Sequence, residues 1–394
     1  MITNQTNFNL LDFVTCYCKE YQENKKAQIL QFRNDNTLAY IHFEHEDKRL
    51  DRWVKTTELS PYVPTNETTE DRVLSRRDYE RLHHSDEDSD GLSDGELKFE
   101  KLHKEVTKIR NIDQITIGKY TIRTWYFSPY PKPFLNATSL YICDHCFQYF
   151  LTQEDLDLHL QSGEMTPPGR EIYRKDNISI FEIHGKYQKI CCQCLCLLAK
   201  LFLDHKTLFY DVEGFIFYVL CECDENGAHI AAYFSREINS DAGNILACIV
   251  ALPPYQKKGY GRLLISLSYE IAKRQHRSGG PERPLSDLGK IAFHSYWRDT
   301  LVELLKDHSK EMISLDDIVM MTSISRDDVI DVLREINCVS RAKGEYELMV
   351  QKDSLMDAIH KFENGRKRAK IDPMCLIWLD GDDDKTDFTK VPSC

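Results

Sequence analysis

The stretch that most constrains the fold of this chain lies at residues 247–264. Residues 247–252 are a short apolar run that ends at two prolines, which is typical of a buried strand. Residues 263–271 repeat apolar side chains at helical spacing, so a helix is expected there. Between strand and helix lies a loop that contains Gly259 and Gly261. Glycine lets a backbone approach a ligand without a Cβ in the way, so this loop is a candidate binding site.

The loop is expected to point backbone N–H groups, and the positive end of a helix dipole, at a phosphate or pyrophosphate. A P-loop would need Lys and then Ser or Thr after the last glycine, but Arg262 and Leu263 follow Gly261. A dinucleotide fingerprint would need a third small residue at Leu264. The pattern Gln-x-x-Gly-x-Gly over residues 256–261 instead resembles the acetyl-coenzyme A loop of GNAT-type acetyltransferases.

Length and charge limit the class of protein. The 394 residues suffice for two or three domains, and a hydrophobic content of 42% provides a core. The net charge of -12 disfavours a free-standing DNA-binding protein but can attract basic peptides such as histone tails. We find no secretory leader and no apolar run of membrane-spanning length, so we expect a soluble intracellular protein with no membrane partner. The 14 cysteines are then expected to be thiols or metal ligands.

The first hundred residues divide into two parts. Residues 8–60 contain short alternating segments at 27–32 and 39–43 and a strand-like segment at 49–54, which predict a small β-barrel or sheet. An acidic, serine-rich stretch follows. It cannot bury enough apolar surface to offset chain entropy, so we expect a disordered linker over residues 62–106.

The remaining chain is dense in apolar residues to about residue 380. Near its end, Ser314 and Ser325 each precede an aspartate by three positions, the spacing of a helix-capping box. Two short helices and a turn at 343–344 predict a winged-helix-like unit, and its acidic second helix favours packing over DNA binding. The expected strands are 115–123, 178–183, 215–223 and 230–234, with a helix at 189–203.

A metal-ligand pattern lies at Cys143, Cys146 and His159, with two and then twelve residues between them. Two thiolates and an imidazole at this spacing suit tetrahedral zinc. Gly163 stands where a fourth ligand is expected, so zinc has three evident ligands, and a finger that lost its metal is the alternative. Other residues that offer a fourth ligand are His145, Glu164, Cys191, Cys192 and Cys194.

Several further motifs together carry a family resemblance; they are residues 124–131, 203–212, 248–264 and 280–289. This series resembles the MYST family of histone acetyltransferases. The N-terminal module, with its segment 48–54, resembles the chromo barrel of the Esa/Tip subgroup. The resemblance covers roughly residues 8–60 and 107 to about 380. It departs at Gly163, in a segment one residue shorter than the family's, and at Ala251, where the family usually has threonine.

The resemblance implies an α/β (α+β) fold with a GNAT-type acetyltransferase core. An N-terminal small β-barrel, a zinc-finger-like module and a C-terminal winged-helix-like unit complete the implied architecture. The expected boundaries are 1–61 for the chromo barrel, 62–106 for the linker, 107–382 for the MYST-type domain and 383–394 for a tail, with the finger-like module at 138–165 and the helical C-terminal part at 300–382.

By the resemblance, Glu282 is the general base and Cys248 the active-site cysteine. A free lysine has a pKa of about 10.4, so removing its proton at pH 7 costs roughly 4.6 kcal/mol, part of which a positioned carboxylate offsets. Pro281 and Pro284 restrict the backbone around Glu282. Otherwise Glu282 is an exposed loop residue and Cys248 a small buried hydrophobe. We expect direct attack by the lysine on the thioester, with Cys248 less essential than Glu282; an acetyl-cysteine intermediate is the other route.

The resemblance also implies acetyl-coenzyme A as co-substrate. Its pyrophosphate is expected on the loop N–H groups, and its acetyl and pantetheine part on the strand. Lys206 matches the family's autoacetylated lysine, the alternative being an ordinary surface lysine. The residues expected to contact the co-substrate are Ile249, Val250, Ala251, Gln256, Lys257, Lys258, Gly259, Tyr260, Gly261, Arg262, Ser286 and Ser295.

The expected partners follow from the same resemblance. Tyr40, Phe43 and Trp53 are either part of a methyl-lysine cage or part of the barrel core, and some barrels of the subgroup bind RNA. A basic cluster at 361–370 suggests a DNA contact, a nuclear import signal or a solvated helix end. We expect a nuclear histone acetyltransferase that acts on histone tails and nucleosomes within a multisubunit complex. The alternative is a catalytically inactive chromatin adaptor that binds histone tails or nucleic acid through its barrel.

Overall fold

The computed structural model describes residues 8–63, 109–161, 163, 165–204, 206, 209–307, 313–338, 340–342, 345–347, 352–364 and 368–377. The chain divides into two compact units, one of Met1–Asp113 with Arg123–Thr138 and the other of Gln114–Ile122 with Ser139–Cys394. Nearly all of the predicted linker, and the tail at 383–394, lie outside the described residues. Among the helices that are described, none is both long and apolar enough to span a bilayer.

The N-terminal module is a five-stranded antiparallel sheet in the order β4-β3-β2-β1-β5. Alternate residues of its third strand, Ala39, Ile41 and Phe43, are fully buried in one apolar core, as the alternation predicts. The barrel-like region and the strands predicted at 27–32 and 39–43 are therefore confirmed, whereas the segment 49–54 is a strand only from Arg52, because residues 48–50 form a 3₁₀ turn. The strands are β1 (Phe13–Cys18), β2 (Glu23–Arg33), β3 (Leu38–Phe43), β4 (Arg52–Lys55) and β5 (Ser60–Pro61).

The three aromatic residues considered for a methyl-lysine cage do not share a face. Tyr40 and Phe43 are an odd number of positions apart in β3, so their side chains leave opposite faces. Tyr40 packs edge-on against Trp53 with ring centroids 5.3 Å apart. The guanidinium of Arg33 lies 4.2 Å from the Trp53 ring, and that of Arg110 lies 5.8 Å from the Tyr40 ring. These rings are packing residues that the protein's own arginines cover.

A small four-stranded sheet precedes the central sheet, in the order β7-β6-β8-β9. The single strand predicted at 115–123 is wrong, because Gly118, with a left-handed φ of +51°, turns the chain back to make two strands. Thr152 caps the short helix α1 by accepting the N–H of Asp155. The elements are β6 (Gln114–Ile117), β7 (Tyr120–Arg123), β8 (Ser139–Ile142), β9 (Tyr149–Phe150) and α1 (Gln153–Leu160).

The central sheet is antiparallel throughout, in the order β10-β11-β12-β13-β14. Helix α3 contacts β12, β13 and β14, and α2 contacts β11, so the middle strands are buried on both faces. The predicted strands and helix are confirmed, although α2 ends at Lys200. The elements are β10 (Arg170–Lys175), β11 (Ile178–His184), α2 (Lys189–Lys200), β12 (Phe215–Asp224), β13 (Gly227–Glu237), β14 (Cys248–Ala251) and α3 (Tyr260–Arg274).

The C-terminal part consists of helices and one described hairpin. Ser314 and Asp317 form a complete capping box at the start of α5, and Ser325 caps α6 through the N–H of Asp328. Two helices followed by a hairpin match the winged-helix-like prediction, although residues 343 and 344 of its turn lie outside the described residues. The elements are α4 (Asp287–Asp307), α5 (Leu315–Thr322), α6 (Arg326–Glu335), β15 (Ser340–Ala342), β16 (Glu345–Glu347) and α7 (Lys352–Glu363).

Candidate functional site

The predicted co-substrate loop connects the edge strand β14 to α3. Gly259 takes a left-handed φ of +94° at the N-cap of α3 and accepts the N–H of Leu263 at 3.0 Å. The N–H groups of residues 260–262 therefore precede the first intrahelical bond and have no acceptor within the helix. A Cβ placed on Gly261 would meet no atom within 4 Å. The start of α3 is open above its backbone, which is where the sequence predicts an anion.

Two of the three cationic side chains predicted to face the pyrophosphate are paired with carboxylates. Lys258 Nζ lies 2.8 Å from Glu222 Oε1. Arg262 is half-buried; it donates to Asp299 Oδ2 at 2.8 Å and to Ser295 Oγ at 3.2 Å. The structure thus brings the predicted residues Arg262 and Ser295 into direct contact and adds a carboxylate, Asp299, that the sequence pattern does not predict. Lys257 is exposed on the loop itself.

The segment at 368–371 runs beside this loop. The sequence pattern does not predict this contact. Arg368 pairs with Asp299 at 2.8 Å, so part of the basic cluster has a structural role. A Cβ on Gly259 would lie 3.2 Å from Ala369 Cβ. Ser286 is exposed and accepts the N–H of Gly289, and no described contact joins it to the loop.

Cys248, the first residue of β14, contacts a lysine from a distant part of the chain. Lys206 Nζ donates to Cys248 Sγ at 3.7 Å and is only 5% exposed, so Lys206 is not an ordinary surface lysine. Burial raises the pKa of Cys196 on α2 to about 11, and Lys206 acts against that rise. Lys206 therefore lies between α2 and β14, where it faces two thiols.

Glu282 is positioned by main-chain hydrogen bonds. Its N–H donates to Leu246 O at 2.8 Å, and the N–H of Ile245 donates to Gly280 O at 3.0 Å. This short parallel pairing fixes the backbone of Glu282 beside the residue two positions before Cys248. The Glu282 side chain is exposed, as expected of a base that must meet an incoming substrate.

The other side of the Glu282 segment is held by α6. Arg283 donates to Asp328 Oδ1 at 2.5 Å, and the Asp328 side chain is only 3% exposed. Burial raises the pKa of Asp328, while Ser325 and Arg283 lower it. Asp328 was predicted only as a capping residue, and the structure gives it this second contact.

The three predicted metal ligands come together. Cys143 and Cys146 are buried, Cys146 Sγ lies 3.2 Å from His159 Nε2, and one donor atom from each residue lies within 4.8 Å of the others. The Cys146 thiol donates a hydrogen bond to Cys143 and lowers the pKa of Cys143 below its usual value. Thiolate is the form that binds metals. This donor set suits zinc.

The fourth ligand is not found at the expected position. Gly163 has a left-handed φ of +83° and no atom within 4 Å of its Cβ position. His145 clusters with Asp144 and His229 rather than with the two cysteines, since its Nδ1 lies 2.9 Å from Ala228 O and its Nε2 lies 3.6 Å from Asp144 Oδ1. Glu164 lies outside the described residues. All three cysteines considered on α2 are buried; the contact to Cys143 and burial raise the pKa of Cys146, and Cys191 adds to that rise.

Three family profiles match the chain in order. Residues 10–61 match the RNA binding activity-knot of a chromodomain, residues 109–162 the MYST family zinc finger domain, and residues 166–376 the MOZ/SAS family. The last match covers more than half of the 394 residues and contains the loop, Cys248 and Glu282.

Curated relatives match along most of the chain. Histone acetyltransferase ESA1 of Saccharomyces cerevisiae is 36% identical over 408 aligned residues, which cover 92% of this chain and 91% of that protein. Putative MYST-like histone acetyltransferase 1 of Oryza sativa subsp. japonica is 40% identical over 86% of this chain and 76% of its own length. Histone acetyltransferase esa1 of Emericella nidulans is 44% identical over 73% of this chain and 59% of its own length.

Proposed function

We propose that this chain, which belongs to the MOZ/SAS family, transfers acetyl groups from acetyl-coenzyme A to the ε-amines of lysines in histone tails. One observation carries the proposal. The short strand β14 begins at Cys248, which contacts Lys206, and it leads into the glycine loop. The residue two positions before β14 holds the backbone of Glu282. The residues from Leu246 to the glycine loop therefore both provide the co-substrate site and position the proton acceptor.

The loop is assigned to the pyrophosphate of acetyl-coenzyme A. The N–H groups of residues 260–262 and the positive end of α3 supply the attraction, and Gly261 leaves room for a close approach. Exposed Lys257 adds charge, whereas Lys258 and Arg262 are already balanced by carboxylates. β14 is an edge strand, so its outer backbone groups can pair with the pantetheine amides, apart from Ala251 O, which already accepts from Gln256 Nε2 at 3.0 Å.

Glu282 is assigned as the general base. Removing the proton from the substrate lysine at pH 7 costs roughly 4.6 kcal/mol, and an exposed carboxylate at the entrance takes up that proton. The neutral amine attacks the thioester carbonyl carbon, so the C–N bond forms while the C–S bond breaks. The second amine proton passes to the departing sulfur, so coenzyme A leaves as the thiol, and Glu282 releases the first proton to solvent.

Cys248 and Lys206 line the acetyl end of the site in this assignment. Direct attack by the substrate lysine needs no acetyl-cysteine, so Cys248 shapes the site and holds Lys206 beside it. Lys206 is proposed as the autoacetylated lysine. Because Lys206 is buried, an acetyl group reaches it from within the site rather than from a second molecule. Acetylation removes the charge beside Cys248.

Zinc is assigned to Cys143, Cys146 and His159. The ion would cross-link the turn after β8 to α1 and so stabilise the finger-like module, without a part in acetyl transfer. These three residues are the zinc ligands that we assign, and we assign no residue as the fourth ligand.

The barrel is assigned to RNA rather than to methyl-lysine. Phe13, Tyr17 and Tyr21 are exposed, and Lys25 and Lys26 lie 4.1 Å from the rings of Tyr21 and Phe13 respectively. Aromatic faces interleaved with lysines suit single-stranded nucleic acid. With histones as substrates, the protein acts on chromatin in the nucleus, as part of a complex with other subunits.

The test is acetyl transfer from labelled acetyl-coenzyme A to a histone tail peptide. A matched control peptide carries arginine at every lysine, so it keeps the charge but has no acceptor amine. Label on the lysine peptide alone supports the proposal. If folded protein, with its natural subunits added, labels neither peptide yet binds both, the catalytically inactive adaptor is the correct assignment.

A further inference from the structure

The two residues inside the Cys143–Cys146 turn form a second donor cluster. Asp144 and His145 are 8% and 5% exposed, and both meet His229 of β13, which follows them by more than eighty positions. One donor atom from each of Asp144, His145 and His229 lies within 4.8 Å of the others. Neither the zinc assignment nor the acetyl-transfer site uses these three residues.

The tautomer of His145 is fixed by a main-chain carbonyl. Its Nδ1 lies 2.9 Å from Ala228 O, and because a carbonyl oxygen only accepts, Nδ1 carries the proton. In the neutral imidazole, Nε2 then keeps its lone pair. That atom lies 3.6 Å from Asp144 Oδ1, so the lone pair and the carboxylate are close together.

His229 is oriented in a similar way by a second carboxylate. Its Nε2 lies 2.9 Å from Asp224 Oδ1, and its Nδ1 lies 2.6 Å from Asp144 Oδ2. Each imidazole thus has one nitrogen anchored by an outer acceptor and the other near Asp144. Proteins orient metal-binding histidines with this kind of outer partner.

Two glycines bring backbone close to the cluster. A Cβ on Gly118 would lie 2.6 Å from Asp144 Oδ2, and one on Gly227 would lie 3.0 Å from His145 Cε1. Both glycines have positive φ, so neither position accepts a side chain easily. The cluster is therefore enclosed by two turns that only glycine fits.

We propose that Asp144, His145 and His229 bind a divalent transition metal, best matched by zinc, at a second site on the Cys143–Cys146 turn. Two imidazoles and one carboxylate, with water in the fourth position, are an established ligand type for zinc. Donors bound to zinc at ordinary bond lengths lie about 3.4 Å apart. The distance of 3.6 Å from His145 Nε2 to Asp144 Oδ1 is already suitable, and the distance of 2.6 Å from His229 Nδ1 to the other oxygen, Asp144 Oδ2, must widen by less than about 1 Å.

When the metal ion binds, it replaces a proton on the ligand residues. The metal bonds to Asp144, to the Nε2 lone pair of His145 and to Nδ1 of His229, and any proton on that Nδ1 leaves to solvent. The Asp224 contact to the other nitrogen of His229 is retained. The bound ion would tie the finger turn to the central sheet at β13.

The test uses the full chain with both Cys143→Ser and Cys146→Ser. This double variant has no thiolate site, so any zinc it retains must bind elsewhere. After exposure to zinc and dialysis, elemental analysis should find one zinc per chain in this variant. Adding His229→Gln should leave none, whereas adding His294→Gln, a partly exposed histidine of α4, should leave one. A Cys143→Ser/Cys146→Ser protein that holds no zinc would overturn the proposal.

A cobalt(II) measurement checks the ligands independently. The same double variant loaded with cobalt should show ligand-field absorption but no thiolate-to-cobalt charge transfer. Asp144→Asn should lose that absorption, and circular dichroism establishes that each variant is folded. If the absorption is absent from folded double-variant protein, or persists unchanged in Asp144→Asn, the cluster is held by hydrogen bonds alone.

Discussion

The acetyl-transfer site and the Cys143–Cys146 turn belong to the same compact unit, yet they treat polar groups in opposite ways. At the first, Glu282 is exposed and Gly261 faces open space, with main-chain bonds fixing the geometry. At the second, thiols, imidazoles and carboxylates are mostly buried and bonded to one another. The acetyl-transfer site is therefore arranged to bind a substrate, whereas the polar groups of the Cys143–Cys146 turn stabilise the turn. Mutations should therefore change activity at one and stability or metal content at the other.

The largest effect should come from Glu282→Gln. Loss of the proton acceptor should lower kcat by about 10²- to 10⁴-fold, the usual contribution of a positioned base. The melting temperature and the affinity for acetyl-coenzyme A should not change, because the main-chain bonds at residue 282 remain. Steady-state kinetics on a tail peptide, beside Glu154→Gln on exposed α1, provide the measurement. Unchanged kcat in Glu282→Gln would remove Glu282 from the mechanism.

Cys146→Ser should act on stability instead. In zinc-saturated buffer the loss of the bound ion should lower the free energy of unfolding by about 3 to 4 kcal/mol, as expected when ligand exceeds its Kd by a few hundredfold or more. The kcat of protein that is still folded should stay within about twofold. Denaturant titrations with zinc and with chelator measure this. Equal stability of parent and variant with zinc present would show that the finger is held by packing.

Gly261→Ala tests co-substrate binding at the loop without a loss of stability. An added methyl group meets no protein atom, and alanine favours a helix over glycine by up to about 1 kcal/mol, so thermal stability should hold or rise. The same methyl group should obstruct the pyrophosphate and raise the KM for acetyl-coenzyme A by about tenfold, or 1.4 kcal/mol. Gly214→Ala, also unobstructed, is the matched control. An unchanged KM in Gly261→Ala would move the co-substrate away from the loop.

The smallest effect is expected for Arg283→Gln. Loss of the contact to buried Asp328 should loosen the Glu282 segment and lower kcat by about three- to tenfold, with the KM for acetyl-coenzyme A unchanged. Arg326→Gln, which removes an exposed ion pair to Asp316, is the control and should leave kcat unchanged. Equal kcat in both variants would show that main-chain bonds alone position Glu282.

Local patterns predicted much of this molecule. The alternation in β3, the capping serines of α5 and α6 and the spacing of the finger ligands depend on neighbours in sequence, and the structure contains all of them. The single strand at 115–123 was wrong because the turn at Gly118 divides the segment into two strands.

Contacts between distant residues could not be predicted in the same way. Lys206 reaches Cys248, Asp299 reaches Arg262, and His229 reaches Asp144 only after the sheet and helices have packed. No spacing rule joins residues that are 37 to 85 positions apart. The methyl-lysine cage, one of the two alternatives for the barrel aromatics, does not form for a related reason. Strand parity places two of its three rings on opposite faces.

Amide hydrogen exchange with and without acetyl-coenzyme A tests most directly whether the co-substrate lies on the backbone of the glycine loop. Saturating acetyl-coenzyme A should slow exchange most at residues 260–262, because their N–H groups gain phosphate acceptors, while the barrel strands β1–β4 exchange as before. Binding of acetyl-coenzyme A that leaves exchange at residues 260–262 unaltered would contradict the account.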